Sequence, residues 1–130
     1  MNNGLRKIEL LAPAKNLECG IAAIDHGADA VYIGAAQFGA RQTAGNSTED
    51  IAELTRYAHQ FGAAVYVTVN TIVYEKELQA LEHLLRQLVE MGVDAILVQD
   101  MAVLEIYKKL KAEYMMRGYR MPALHASTPV

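Results

Sequence analysis

The sequence predicts an α/β fold of parallel (β/α) repeats, amounting to about the first half of a TIM-type (β/α)8 barrel. Three observations carry this. Short runs rich in Val, Ile and Ala recur roughly every 30 residues, as βαβ units require. Between them, apolar residues return at helical spacing. A third feature is an internal echo, in which Gly27-Ala28-Asp29-Ala30-Val31-Tyr32-Ile33 is answered by Gly92-Val93-Asp94-Ala95-Ile96-Leu97-Val98, about two βα units further on. A whole barrel takes ~250 residues. The 130 residues here reach only a fifth strand, so 1–130 is expected to be the N-terminal half of a barrel-type domain and a fragment of a longer protein.

The first strand is expected near 8–12, an apolar run that Pro13 ends. Asn16 then opens a helix with Leu17, Ile21 and Ile24 on one face, which Gly27 closes. A second strand at 30–33 leads into a glycine-bearing loop of about a dozen residues, long for a βα connection, ending at a cap on Ser47 or Thr48. Ile51, Leu54, Ala58 and Phe61 mark the next helical face and Gly62 its end. The third strand, 64–69, is a continuous β-branched and aromatic run, as expected of a strand buried on both faces. Leu78, Leu81, Leu84, Leu85 and Leu88 trace a long amphipathic helix that begins near Tyr74 and stops at Gly92. A strand at 95–98, a helix around 103–114, and a fifth strand at 123–126 after Gly118 and Pro122 complete the order.

Composition excludes several function classes. Twelve basic against fifteen acidic residues give a net charge of -3, without the basic excess of a dedicated nucleic-acid clamp. The single cysteine, Cys19, closes no internal disulfide and builds no multi-cysteine metal site. With no apolar h-region at the N-terminus and no run near the ~20 residues that span a bilayer, the expected setting is cytoplasmic, away from membranes. The four histidines, His26, His59, His83 and His125, show no H-E-x-x-H spacing, so no metal site is expected. His26 is placed to favour the negative end of its helix.

Six blocks carry a family resemblance. Glu9-Leu10-Leu11-Ala12-Pro13-Ala14, Gly27 to Gly34, Phe38 with Arg41, Ala44-Gly45-Asn46, Tyr66-Val67-Thr68-Val69-Asn70-Thr71 and His125-Ala126-Ser127-Thr128 resemble, in that order, the N-terminal half of the collagenase-like peptidase family of unassigned catalytic type. The resemblance implies a barrel-type domain of bacterial or archaeal origin and a protease. It also implies a second class, since other members are similar to hydroxylases that act on RNA bases or a quinone precursor with a cysteine-held iron–sulfur cluster. The cluster cysteines belong to the family's later half, so these residues are expected to carry no cofactor and the cluster to lie in the missing C-terminal part. Pro129 stands where a polar residue is expected after the Ser-Thr pair.

Barrel active sites form at the C-terminal ends of the strands, where βα loops and helix N-termini converge. That selects Glu9, the loop from Gln37 to Asn46, Asn70 and Thr71, Gln99 and Asp100, and His125, Ser127 and Thr128. Glu9, a carboxylate within an apolar strand, needs a partner or a wet cavity; Arg41 can hold it with two parallel hydrogen bonds, as a site or as a rim ion pair. Asn46 is a turn or cap residue or a ligand contact at a helix N-terminus. Asn70, followed by Thr71, either aims its amide into the mouth or shapes the turn. Asp100 is a catalytic carboxylate or a helix cap. His125 is an acid, base or metal ligand near neutral pH, or a packed strand histidine. Ser127 lacks the elbow and base that a protease nucleophile needs.

The expected assignment is a protease of unassigned mechanism, with Glu9, Asp100 and His125 as catalytic candidates and Arg41, Asn46, Asn70 and Thr71 as substrate-binding ones. The alternatives are part of an iron–sulfur hydroxylase acting on RNA bases or a quinone precursor, and an inactive half-barrel. A peptide or RNA is the expected substrate of the whole protein. The open sheet edge is expected to pair with a second copy, giving a homo-oligomer.

Overall fold

The computed structural model describes residues 10–35, 45–69, 78–98 and 101–126, apart from the side chains of 101, 102 and 126. Strands and helices alternate without exception: β1 (Leu11–Ala14), α1 (Leu17–Asp25), β2 (Ala30–Gly34), α2 (Thr48–Gln60), β3 (Ala64–Val69), α3 (Leu78–Met91), β4 (Ala95–Val98), α4 (Met101–Met116) and β5 (Ala123–Ala126). The strands form one five-stranded sheet in chain order, β1-β2-β3-β4-β5, every pair parallel. This is the half-barrel expected, and among the described residues it is not closed: β1 and β5 are its edges.

Local chemistry sets the helix ends. Asn16 caps α1, its side chain accepting the Cys19 N–H at 2.8 Å. At the far end the ring Nδ1 of His26 donates to the Ala22 carbonyl at 2.7 Å, which also accepts the His26 backbone N–H at 3.1 Å, placing the imidazole at the negative helix terminus. Ser47 caps α2 through the Asp50 N–H at 3.1 Å, and Glu49 and Asp50 add charge of the favoured sign to its first turn. Gly27 and Gly92 follow α1 and α3 at φ 97° and 86°, the left-handed cap that a side chain disfavours.

The two echoed aspartates make equivalent bonds. Leu10 N–H donates to Asp29 Oδ2 at 2.8 Å while Asp29 N–H donates to the Leu10 carbonyl at 2.8 Å. Val65 N–H likewise donates to Asp94 Oδ2 at 2.8 Å, and Asp94 N–H to the Val65 carbonyl at 2.9 Å. The carbonyls of Asp29 and Asp94 then accept Ala64 N–H and Ala123 N–H from the next strand, at 2.9 and 3.1 Å. Each aspartate therefore fastens three neighbouring strands at their N-terminal ends, and a one-residue slip would break every bond in the set.

The core fills the space between the helices and one face of the sheet. Val31, Ile33, Val65, Val67, Ile96 and Val98 meet Ile51, Leu54, Leu81, Leu85, Leu88 and Leu110 there, all at most 4% exposed. Helices α1 and α2 approach closely at Gly20, where a Cβ would come within 2.8 Å of Leu54 Cδ1.

Three boundary or face expectations are corrected. The first strand does not stop at Pro13 but runs through Ala14. Ala30 N–H donates to the Leu10 carbonyl, so alternate residues 10, 12 and 14 face β2 and the missing N–H of Pro13 falls on the open edge, where proline costs no ladder bond. Phe61 is not on the core face of α2; it is the C-cap, 63% exposed and packed against Tyr57 in a tilted contact with ring centroids 5.0 Å apart. Its φ of −109° and ψ of 11° have left the helix, and the buried Thr55 takes the inward place with its hydroxyl on the Ile51 carbonyl at 2.8 Å. Finally, β3 is buried on one face only: Val65, Val67 and Val69 are buried while Ala64, Tyr66 and Thr68 are half-buried, because no second layer covers the inner face among the described residues. Among those residues, no helix is long and apolar enough to cross a membrane.

Candidate functional site

The inner face is a ladder of rungs fixed by the parallel register. Pro13, Tyr32, Tyr66, Ala95 and Ala123 stand abreast across the five strands. Tyr32 and Tyr66 pack edge to face there, with centroids 5.5 Å apart at 67°, a favoured aromatic arrangement. The next rung toward the C-terminal ends is Gly34, Thr68, Leu97 and His125. Gly34, Thr68 and Leu97 are half-buried and His125 is exposed. That rung lies at the mouth, the end at which a parallel barrel builds its site.

Two of the expected site residues fall within the described structure. His125 lies on the mouth rung, abreast of Leu97 and exposed rather than packed, because β5 is an edge strand. Asn46 is 8% exposed and turned inward. Its Nδ2 donates to the Lys15 carbonyl at 3.1 Å and to the Gly34 carbonyl at 3.0 Å, and its backbone N–H donates to the same Gly34 carbonyl at 2.9 Å. Both amide protons are thereby spent on the backbone. Asn46 ties the turn after β1 to the end of β2, while Ser47 does the capping. Glu9, Arg41, Asn70, Thr71 and Asp100 lie outside the described residues, as do Gln37, Gln99, Ser127 and Thr128.

Sequence reasoning passed over Gly34, Thr68 and the two tyrosines as site material. Their signal is the period of two in Ala64-Val65-Tyr66-Val67-Thr68-Val69, where small, aromatic and hydroxyl residues alternate with valine.

At the opposite end of the sheet sits a charged cluster. Asp94 receives His59 Nε2 at 2.8 Å and Arg120 at 3.2 Å in addition to Val65 N–H. Burial pushes its carboxyl up, but the bonds from His59, Val65 and Arg120 outweigh that and hold it below the usual carboxylate range. On the outer surface Arg86 bridges α3 and α4, paired with Glu82 at 2.9 Å and Glu113 at 2.5 Å.

An iron–sulfur cluster does not fit these residues. The sequence holds one cysteine, and Cys19 is exposed on α1, so four thiolates cannot be gathered here.

With this geometry in view, the sequence from residue 15 to residue 126 matches peptidase family U32. The chain belongs to that family. Among curated relatives, the 23S rRNA 5-hydroxycytidine C2501 synthase of Escherichia coli (strain K12) is 51% identical over 100 residues, covering 77% of this chain and 15% of that protein. The tRNA hydroxylation protein P1 of Bacillus subtilis (strain 168) is 41% identical over 106 residues, 81% of this chain and 25% of that one. A collagenase of Porphyromonas gingivalis (strain ATCC BAA-308 / W83) is 28% identical over 107 residues, 81% of this chain and 26% of that one. The chain thus spans between about one seventh and one quarter of the length of these U32 relatives.

Proposed function

We propose that this chain is the N-terminal (β/α) portion of a U32 enzyme that hydroxylates a base of RNA, and that it supplies part of the substrate mouth. The observation that carries this is the 51% identity to the rRNA 5-hydroxycytidine synthase, joined by 41% identity to a relative named for tRNA hydroxylation. In this reading RNA is the partner. Arg41, Asn70 and Thr71 bind it, Glu9, Asp100 and His125 are the candidates for holding or moving a proton, and Asn46 positions its neighbours. Any redox group is held by residues of the longer protein outside this chain.

A protease is the second reading. It rests on the family's description, on a relative of Methanocaldococcus jannaschii named as an uncharacterized protease and 40% identical over 104 residues, and on the collagenase relative. Cleavage by a serine would need a nucleophile, a base that activates it and an oxyanion hole, and the described rung offers a threonine and an exposed histidine. Gelatin hydrolysis by the complete gene product separates the readings: the RNA reading expects a rate no faster than buffer. Robust cleavage that His125→Ala abolishes would overturn it.

A further inference from the structure

We infer that Thr68 is a base-contacting residue of the substrate mouth and that Gly34 keeps its hydroxyl accessible; the inference rests on the RNA reading above. Thr68 stands on the inner face of β3, half-buried, between Gly34 and Leu97 on the mouth rung and one rung above the Tyr32–Tyr66 pair. Among the described residues nothing takes the hydrogen bond of its hydroxyl, a group that both donates and accepts. The adjoining Gly34 opens the approach: a Cβ built there would sit 3.3 Å from Thr68 Oγ1, in the space a ligand edge would occupy.

The pair is rigidly held. Gly34 presents its carbonyl to both the N–H and the Nδ2 of Asn46, at 2.9 and 3.0 Å, and Ala35 N–H donates to the Thr68 carbonyl at 3.0 Å. A hydroxyl carried on a fixed backbone beside the gap at Gly34, one rung above the tyrosine pair, suits the flat edge of an unpaired base. Such bases are read by hydrogen bonds to their edges and by contact with aromatic rings. Asn46 then acts through Gly34 and Thr68, as a positioning residue.

The test uses the complete gene product with two probes, a short oligocytidylate and an abasic ribose-phosphate oligomer of equal length, binding being read by fluorescence anisotropy. Loss of one neutral hydrogen bond corresponds to roughly a fivefold weakening. Thr68→Val, which keeps the shape of the side chain, is expected to weaken oligocytidylate binding about fivefold and to leave the abasic oligomer unchanged. Gly34→Ala should do the same and Thr68→Ser should restore binding. Unaltered oligocytidylate binding by Thr68→Val, or equal weakening of both probes, overturns the inference while leaving the RNA reading standing. A wild-type protein that binds the two probes equally overturns base contact and the RNA reading together.

Discussion

Asp94 and Val65 exchange two hydrogen bonds, the carboxylate taking the Val65 N–H at 2.8 Å and the Val65 carbonyl taking the Asp94 N–H at 2.9 Å. Asp29 and Leu10 repeat the exchange two units earlier. The sequence echo is therefore a structural device: the aspartate two residues after Gly27, and again after Gly92, locks one strand against its neighbour. That lock lies at the N-terminal end of the sheet, where a barrel stores stability, and leaves the C-terminal mouth to chemistry.

Asp94→Ala removes the acceptor of the partly buried Val65 N–H. Leaving a buried donor unsatisfied costs about 1–3 kcal/mol. Urea unfolding should show a loss in that range, with Asp94→Asn losing less because its side-chain oxygen still accepts. An Asp94→Ala protein as stable as wild type would contradict the clamp.

Acid should destabilise this fold through its paired carboxylates. Asp94 is held low by its three donors despite burial, Glu82 by hydrogen bonds from Arg86 and Lys109, and Glu113 chiefly by Arg86. A depressed folded-state pKa means that the unfolded chain takes up protons first as pH falls. The stabilisation is thus complete above the ordinary carboxylate range and is lost on descending from about pH 5 through the folded values. Melting temperature followed from pH 7 downward should drop over that window, and less steeply in Asp94→Asn. A flat profile would contradict the pairing.

Asn46 gives a sharper contrast. Asn46→Ala removes both donors from the Lys15 and Gly34 carbonyls and should cost about 1–3 kcal/mol. Asn46→Asp should cost more, since a buried carboxylate has no proton to offer two carbonyls and is repelled by them. Denaturant midpoints for the two variants test the order; equal midpoints would point to an Asn46 that is not held this way.

The open edge predicts self-association of the 130-residue chain on its own. Leu10, just before β1, and Leu11 on it are 52% and 40% exposed, and an unpaired strand edge recruits another. Sedimentation should show concentration-dependent dimers or larger species, and Leu11→Lys should reduce them. A monomer at high concentration would count against edge pairing.

Most of the fold was legible because its signals are local. Asn16, Ser47, Gly27, Gly62 and Gly92 punctuate the helices, and the strands at 64–69, 95–98 and 123–126 stand as expected. What escaped depends on neighbours. Whether Pro13 ends a strand turns on which side of β1 is paired, and whether Tyr66 is buried turns on whether a second layer covers it. The site was legible only in part for the same reason. Asn46 was readable as a turn residue, but its acceptors on Lys15 and Gly34 lie 31 and 12 residues away, a distance no local pattern spans. Thr68 was hidden inside a run that reads as uniform core until the register sets it between Gly34 and Leu97.

The most direct test of the central claim is nucleoside mass spectrometry of ribosomal and transfer RNA from cells with and without the intact gene. The RNA reading predicts a hydroxylated nucleoside that disappears on deletion and returns with the complete wild-type gene. RNA of unchanged composition, alongside gelatin hydrolysis that is lost with the gene, would contradict it in favour of the protease.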